Sequence, residues 1–360
     1  MKFSKNTICI GVHKVTNKLF KSANINLYSR FYNPAQVSID ITNKCCLRCV
    51  HCDFWKNTKS HDMTTEKIME SLSRMKKFLG CYHLTITGGE PLLRDDVCEI
   101  ISCAKQLGLS ATLITNGFFM DEEQTKNIVG SGLDKLIVSL DSHIPDVHDE
   151  TRGRRGCFER AVAGLRNIRS FKHNTGVYVQ TILMKTNLSS VEEMLIFFES
   201  LGVDGIILQA LWKNLNYSLE SAPDWRAKSL LWPTIEESEK ALDTIIRLKT
   251  RGVPIHNSFK QLSAIQSYYA SPDKFNGMFS CDTGETVKID SSGNMRLCYA
   301  MEPFATIDDA DIGDAWKGIL RKDITQRINS CNMGCKALNC NYMYSTYDLI
   351  LNLIEEIRYS

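Results

Sequence analysis

The stretch QVSIDITNKCCLRCVHC, residues 36–52, decides how the rest of the chain is read. Its first seven residues form an apolar, β-branched run of strand length. Cys45, Cys46, Cys49 and Cys52 follow at once. Cys45, Cys49 and Cys52 keep the spacing CxxxCxxC. Three thiolates on one loop do not close a tetrahedral zinc site, which takes four ligands, and His51, wedged between two of the cysteines, is a poorly placed fourth. They suit a cuboidal [4Fe–4S] cluster, with three irons held by cysteine and one left open to a substrate.

Outward from this stretch, strand and helix alternate. Apolar runs recur at 82–87, 110–115, 135–140, 176–183 and 203–211. Helical spacing fills 64–79, 92–107, 121–131, 156–170, 189–201 and 234–251. Six such units predict an α/β fold with a parallel sheet, rolled into a partial (β/α)6 TIM-like barrel. The polar motifs fall where the strands end. The cysteines follow strand one, GGEP (88–91) ends strand two, TNG (115–117) strand three and SLD (139–141) strand four. Lys185 to Asn187 close strand five and Gln209 strand six. The carboxyl ends of parallel strands converge on one face, where ligands bind.

Composition sets the outer bounds. Among 360 residues, 43 Lys and Arg stand against 41 Asp and Glu, too even a balance for a dedicated nucleic-acid binder. No apolar run reaches the roughly 18–20 residues of a membrane span. The opening MKFSKNTICIGVHKV lacks the long apolar region of a signal peptide. A cytoplasmic, reducing setting is expected, in which the 14 cysteines serve metal binding or catalysis. Cys9, Cys81, Cys98, Cys103 and Cys157 are scattered and read as packing. A second group, Cys281, Cys298, Cys331, Cys335 and Cys340, lies near the C-terminus. Residues 1–39 hold six Lys or Arg before the first acid, Asp40. They read as a solvated basic helix or as a site for an anionic partner. The Trp-rich stretch 212–233 reads as a loop over the active face or a packed excursion.

Cys45, Cys49 and Cys52 at this spacing, joined to GGEP, resemble the signature of the radical S-adenosylmethionine superfamily, over roughly residues 36–257. The resemblance implies a [4Fe–4S] cluster on those three cysteines, with S-adenosylmethionine chelated to the open iron. Gly88 and Gly89 would let the backbone approach the cofactor's ammonium, Glu90 would supply a countercharge, and Pro91 would fix the turn. Ser139 and Asp141 would hydrogen-bond its ribose or carboxylate, and Asn187 and Gln209 would line the same face. On residue type alone, polar strand ends are also ordinary helix caps. Cys46 is left to packing. The implied chemistry is reductive cleavage. An electron from a reductant such as flavodoxin or ferredoxin breaks the S–C5′ bond, and the 5′-deoxyadenosyl radical takes hydrogen from a substrate.

Cys281, eleven residues, Gly293, four residues and Cys298, around the hairpin-like TVKIDSSGNMRLCY (286–299), resemble the auxiliary-cluster domain called SPASM or its shortened form, Twitch. This implies three segments: a basic segment at 1–35, the barrel at 36–257 and a small cysteine-rich domain at 258–360. An auxiliary [4Fe–4S] cluster would sit on Cys281, Cys298, Cys340 and one of Cys331 and Cys335. A structural zinc knuckle is the alternative from the residues alone. Sulfatase-maturating relatives carry an acid where this chain has Tyr299, which argues against that activity. The expected substrate is a small metabolite, such as a sugar, an aminocyclitol or a tetrapyrrole side chain. A ribosomally made peptide is the alternative, and a non-catalytic iron–sulfur carrier or scaffold the second. The 35 residues before strand one are short for a leader-peptide domain.

Overall fold

Six parallel strands carry the fold: β1 (Gln36–Thr42), β2 (His83–Gly88), β3 (Ser110–Thr115), β4 (Lys135–Ser139), β5 (Gly176–Leu183) and β6 (Gly205–Ala210). Each lies within two residues of its predicted run. The computed structural model describes residues 9–12, 34–56, 61–171, 173–212, 226, 229–272, 286–309 and 311–331. The helices are α1 (Thr65–Leu79), α2 (Val97–Gln106), α3 (Glu122–Gly130), α4 (Pro145–Arg152), α5 (Cys157–Ser170) and α6 (Lys185–Leu188). They continue with α7 (Val191–Ser200), α8 (Ile235–Thr250), α9 (Phe259–Ala270), α10 (Ile312–Lys317) and α11 (Ile319–Asn329). Side-chain oxygens start several of them. Thr64, Asp121 and Thr234 each accept a backbone N–H three residues on, and Glu237 answers Thr234 to complete a capping box.

Period-two alternation divides each strand between two environments. Val37, Ile39 and Ile41, Leu84 and Ile86, Ala111 and Leu113, Leu136 and Val138, Val177 and Val179, and Ile206 and Leu208 join the helices in one continuous apolar core. The other face is largely polar: Ser38, Asp40 and Thr42 on β1, His83, Thr85 and Thr87 on β2, Ser110 and Thr112 on β3, Ser139, Gln180 and Gln209 beyond, with Ile114, Ile137, Tyr178, Ile182 and Ile207 among them. This face lines the concave interior of the open barrel.

The predicted hairpin forms from β7 (Thr286–Ile289) and β8 (Asn294–Arg296), which are antiparallel. Gly293 takes the left-handed φ of +88° that the turn needs. The hairpin shares the barrel's sheet. β7 pairs parallel with β1, from Gln36 opposite Thr286 to Ile39 opposite Ile289. With β9 (Ala305–Thr306) the order is β6-β5-β4-β3-β2-β1-β7-β8-β9.

Two features depart from the sequence reading. The helix α4 has no apolar stripe to announce it; Pro145 opens it and Gly153, at φ +66°, ends it. Cys9 and Cys81, expected as separate packing residues, are joined in a disulfide with Cα atoms 6.1 Å apart, beside Ile10 and Ala35. Spacing alone does not say which thiols meet. The rest of the basic segment before residue 34, residues 213–225 of the Trp-rich stretch, and Cys281, Cys335 and Cys340 lie outside the described residues. The end of the Trp-rich stretch packs inward, with Trp232 against Tyr268 and Tyr269. Among the described residues no helix is long and apolar enough to cross a membrane.

Candidate metal centre and cofactor face

The cysteine loop leaves β1 pinned on two sides. On the first, the Gly89 N–H donates to the Thr42 carbonyl (2.8 Å) and the Glu90 N–H to that of Lys44 (2.9 Å). A Cβ on Gly88 would fall 2.3 Å from the Thr42 carbonyl oxygen, and one on Gly89 2.3 Å from that of Lys44. The glycine pair therefore admits the loop's own backbone, a constraint additional to the expected approach of a ligand. On the second side the Arg48 N–H donates to the Arg152 carbonyl (3.1 Å) and the Val50 N–H to that of Thr151 (3.0 Å). A Cβ on Gly153 would meet the Arg48 carbonyl oxygen at 2.4 Å. The end of α4, absent from the sequence reading, is thus half of the clamp. The loop's entry is fixed by Asp62, which accepts from the Thr42 hydroxyl (2.6 Å) and the Asn43 N–H (3.1 Å).

Cys49 is buried, and Cys45, Cys46 and Cys52 are half-buried, around Leu47, Phe118 and Cys157. The Cys45 and Cys46 thiols hydrogen-bond each other, which raises the pKa of Cys45 and lowers that of Cys46 to about 6. The Asn116 amide, 3.6 Å from the Cys46 sulfur, helps to hold Cys46 down. Burial pushes the Cys49 thiol up to about 11 against the pull of Arg152. Among the described residues no three His, Cys, Asp or Glu side chains converge on a single ion. A cubane does not ask for that, since each cysteine holds a different iron. The donor set, three soft thiols on a braced loop with an apolar wall, fits such a cluster. His51 is half-buried, and desolvation of its ring pushes its pKa down to about 4, with the charges of Asp141 and Arg152 acting on it in opposite directions.

The strand-end residues are less alike than the sequence implied. Glu90 is fully buried and accepts from the Leu92 N–H (3.0 Å), the Thr115 hydroxyl (2.6 Å) and the Asn116 N–H (2.8 Å), tying the GGEP turn to the end of β3. Burial nevertheless pushes its pKa up to about 7. Pro91 starts the 3-10 turn that follows. Asn187 caps α6: its oxygen accepts from the Met184 N–H (2.8 Å) and its amide donates to the carbonyls of Asp141 (2.9 Å) and Ile182 (2.8 Å). Ser139 is buried at the end of β4, and Gln209 is half-buried on β6 opposite Ile182.

Asp141 is different again. Its carboxylate lies 2.7 Å from the Arg152 Nε and accepts from the Ile182 N–H at 3.1 Å. Burial works to raise its pKa, but Arg152, His51 and His148 hold it below the usual carboxylate range. Arg152 also hydrogen-bonds the Cys49 thiol. One buried guanidinium therefore bridges the predicted cofactor face and a predicted cluster ligand.

The hairpin meets the same mouth. The Asn43 amide donates to the Ser291 hydroxyl (2.7 Å) and the Met63 N–H to the Ser291 carbonyl (2.8 Å). Tyr299, next to Cys298, sets its ring edge-on to Phe54 and its hydroxyl on Asp40 at 3.2 Å. Lys288 lies 5.6 Å from that ring. Cys298 is half-buried against the main core. Cys331, also half-buried, follows α11, which an Arg327–Glu302 ion pair holds to the turn beyond Cys298. The structure brings the two cysteine-bearing segments to one mouth. Asp40, Arg152 and α4 were missed by sequence reasoning; the only signal was an acid inside the apolar run of β1.

A parallel partial barrel carries a braced three-cysteine loop at its mouth, the α/β class of protein that the fold and site define. Residues 39–198, which hold the cysteine loop and the GGEP turn, match the radical SAM superfamily. The chain is 30% identical over 171 residues to the AdoMet-dependent heme synthase of Methanosarcina barkeri, covering 47% of this chain and 48% of that protein. It is 33% identical over 132 residues to the Fe-coproporphyrin III synthase of the same organism, covering 36% and 32%. It is 26% identical over 228 residues to the PqqA peptide cyclase of Rhizobium meliloti, covering 62% and 57%. The chain spans about half the length of the first of these relatives. In fold it resembles Streptococcus suis SuiB bound to precursor peptide SuiA (TM-score 0.63, 16% identity, 85% of this chain and 69% of that one). It also resembles anSMEcpe with bound AdoMet and Kp18Cys peptide (TM-score 0.65, 14% identity, 90% and 96%).

Proposed function

We propose that this chain binds a [4Fe–4S] cluster through Cys45, Cys49 and Cys52 and uses it to cleave S-adenosylmethionine reductively, acting on a tetrapyrrole side chain held in the polar interior. The bound cluster and cofactor supply the homolysis and the hydrogen-abstracting radical. The protein's part is to orient them and to keep out water. Gly88, Gly89, Glu90 and Pro91 brace the loop, while Ser139, Asp141, Asn187 and Gln209 form the strand-end face for the cofactor. The observation that carries the reading is the cysteine loop itself, clamped between the GGEP turn and α4 at the barrel's mouth. The choice of a tetrapyrrole rests on two relatives, 30% and 33% identical, being synthases of haem and Fe-coproporphyrin III.

A ribosomal peptide is the second reading, favoured by the PqqA cyclase match, which covers more of this chain. An auxiliary cluster on Cys281, Cys298, Cys340 and one of Cys331 and Cys335 accompanies either reading; it would take up the electron that an oxidised substrate releases. A flavodoxin or ferredoxin would supply the reductant, in a cytoplasmic setting. The test is anaerobic reconstitution, iron counting and a 5′-deoxyadenosine assay with dithionite. About eight irons per chain support two cubanes. No deoxyadenosine from the reduced wild type would overturn the catalytic reading. Iron coproporphyrin III and a candidate precursor peptide, compared for product by mass spectrometry, then separate the two substrates.

A further inference from the structure

Two groups on the interior wall lack the partners that their burial calls for. Asp40 on β1 is 1% exposed and Lys288 on β7 is 4% exposed. The two strands pair in parallel with Ser38 opposite Lys288, so Asp40 and Lys288 leave the same face two residues apart in register. The Tyr299 hydroxyl takes the Asp40 Oδ1, and Oδ2 has no hydrogen-bond partner among the described residues. Lys288 makes no hydrogen bond or ion pair among the described residues, and its ammonium lies 5.6 Å from the Tyr299 ring. Buried ammonium and carboxyl groups are ordinarily paired. The neighbouring charges are engaged elsewhere. Asp290 accepts from the Asn294 amide (2.9 Å) and from the N–H groups of Ser292 (3.1 Å) and Asn294 (2.9 Å), with the Arg296 Nε 3.4 Å away. Arg94 pairs with Asp96 behind β1, and Asp62 sits on Thr42 and Asn43. Thr85 and Thr87, the inward residues of β2 alongside, carry no charge.

We propose that Asp40 and Lys288 together hold one carboxylate arm of the substrate, Lys288 as its countercharge and Asp40 Oδ2 as a hydrogen-bond donor to it. The proposal rests on the tetrapyrrole reading above and names the group by which the site selects, since the rim of a coproporphyrin carries propionate arms. Burial keeps the Asp40 proton up to about pH 7, with Asp290 adding to the rise and Tyr299 and Lys288 opposing it. Because the Tyr299 hydroxyl donates to Oδ1, that proton belongs on Oδ2, the oxygen without a partner. Asp290 and Arg296 then cancel, protonated Asp40 is neutral, and Lys288 leaves the wall one positive charge. A carboxylate supplies the missing negative charge and two acceptor oxygens, one for each donor. An amine would meet the repulsion of Lys288, and a neutral group would leave its charge uncompensated.

The test is binding of metal-free coproporphyrin III to the reconstituted protein, read by fluorescence polarisation with no turnover required. Lys288→Met keeps the length of the side chain and removes its charge, and Lys240→Met on α8 serves as control. The dissociation constant should rise about tenfold in Lys288→Met and stay at the wild-type value in Lys240→Met. Wild-type affinity should fall about tenfold from pH 6 to pH 8, as Asp40 gives up its proton and meets the ligand's charge, while the propionates stay ionised throughout. Asp40→Asn, which keeps a donor and cannot ionise, should bind equally at both pH values. The tetramethyl ester of the same porphyrin should bind wild type and Lys288→Met alike. An equal loss of ester binding in Lys288→Met would mean only a deformed interior, and it overturns the proposal. Coproporphyrin binding that ignores the Lys288 substitution, or a pH dependence that survives in Asp40→Asn, overturns it too and leaves the tetrapyrrole reading. No binding by the wild type at pH 6 overturns both. A wild type that binds as expected but forms no deoxyadenosine would instead overturn the catalytic assignment.

Discussion

The Tyr299 hydroxyl donates to one carboxylate oxygen of Asp40 at 3.2 Å, while the other oxygen is buried without a hydrogen-bond partner among the described residues. Burial pushes the Asp40 pKa up to about 7, with the neighbouring Asp290 charge adding to the rise and Tyr299 and Lys288 opposing it. The folded protein therefore keeps this proton up to about pH 7, whereas an unfolded chain releases it near pH 4. Stability falls as pH rises between those values, by up to roughly 1.4 kcal/mol per pH unit for one such group. Glu90 shifts in the same direction. Urea midpoints at about pH 5 and about pH 8 should differ less in Asp40→Asn than in wild type. An identical difference would show that Asp40 is ionised throughout.

Gly89→Ala places its Cβ against the Lys44 carbonyl oxygen, a backbone atom that a rotamer change cannot move. Overpacking of this kind costs about 1–3 kcal/mol, and more where backbone must shift. The variant should melt lower and take up less iron on reconstitution. Gly108→Ala measures the strain of a positive φ alone, since its Cβ would meet nothing within 4 Å.

Removing one member of the Asp141–Arg152 pair leaves the other buried and charged. Arg152→Ala should cost roughly 3–5 kcal/mol by denaturant titration. Asp141→Asn in the Arg152→Ala background should recover part of that loss. Strictly additive losses would show that the two side chains do not act as a pair.

Serine in place of Cys45, Cys49 or Cys52 should abolish both iron retention and deoxyadenosine formation. Cys46→Ser should keep both, because the spacing assigns Cys46 no iron. Its loss of iron would transfer the ligand from Cys45 to Cys46, its hydrogen-bonded neighbour.

The Cys9–Cys81 bond closes a sequence separation of 72 residues. Alkylation in denaturant without reductant should label two fewer thiols than alkylation after reduction. Cys81→Ser should destabilise the oxidised protein by about 2–4 kcal/mol and leave the reduced protein nearly unchanged.

Much of the barrel could be read because its strands are buried apolar runs and its helices carry regular stripes. Thr64, Asp121 and Thr234 marked helix starts at the level of single residues. The cysteine spacing was equally legible. The clamp was not, since α4 is short, polar and held in place by Gly153 packing on Arg48, a contact between segments a hundred residues apart. Glu90 and Asn187 were placed on the right strand ends, but their bonds run to the protein's own backbone, which residue type alone does not reveal. The Cys9–Cys81 pairing was hidden for the same reason: each thiol looks like core filler until the other arrives.

The pairing of β1 with β7 has a consequence for synthesis. β1 is among the first strands to leave the ribosome, yet one of its edges is completed only by residues about 250 positions later. Until then that edge offers bare N–H and C=O groups beside an unfinished mouth, a template for wrong partners. Contacts of such sequence separation form slowly. Maturation of this chain thus has a built-in waiting period, and the hairpin that ends it is also the piece that brings Tyr299 to Asp40.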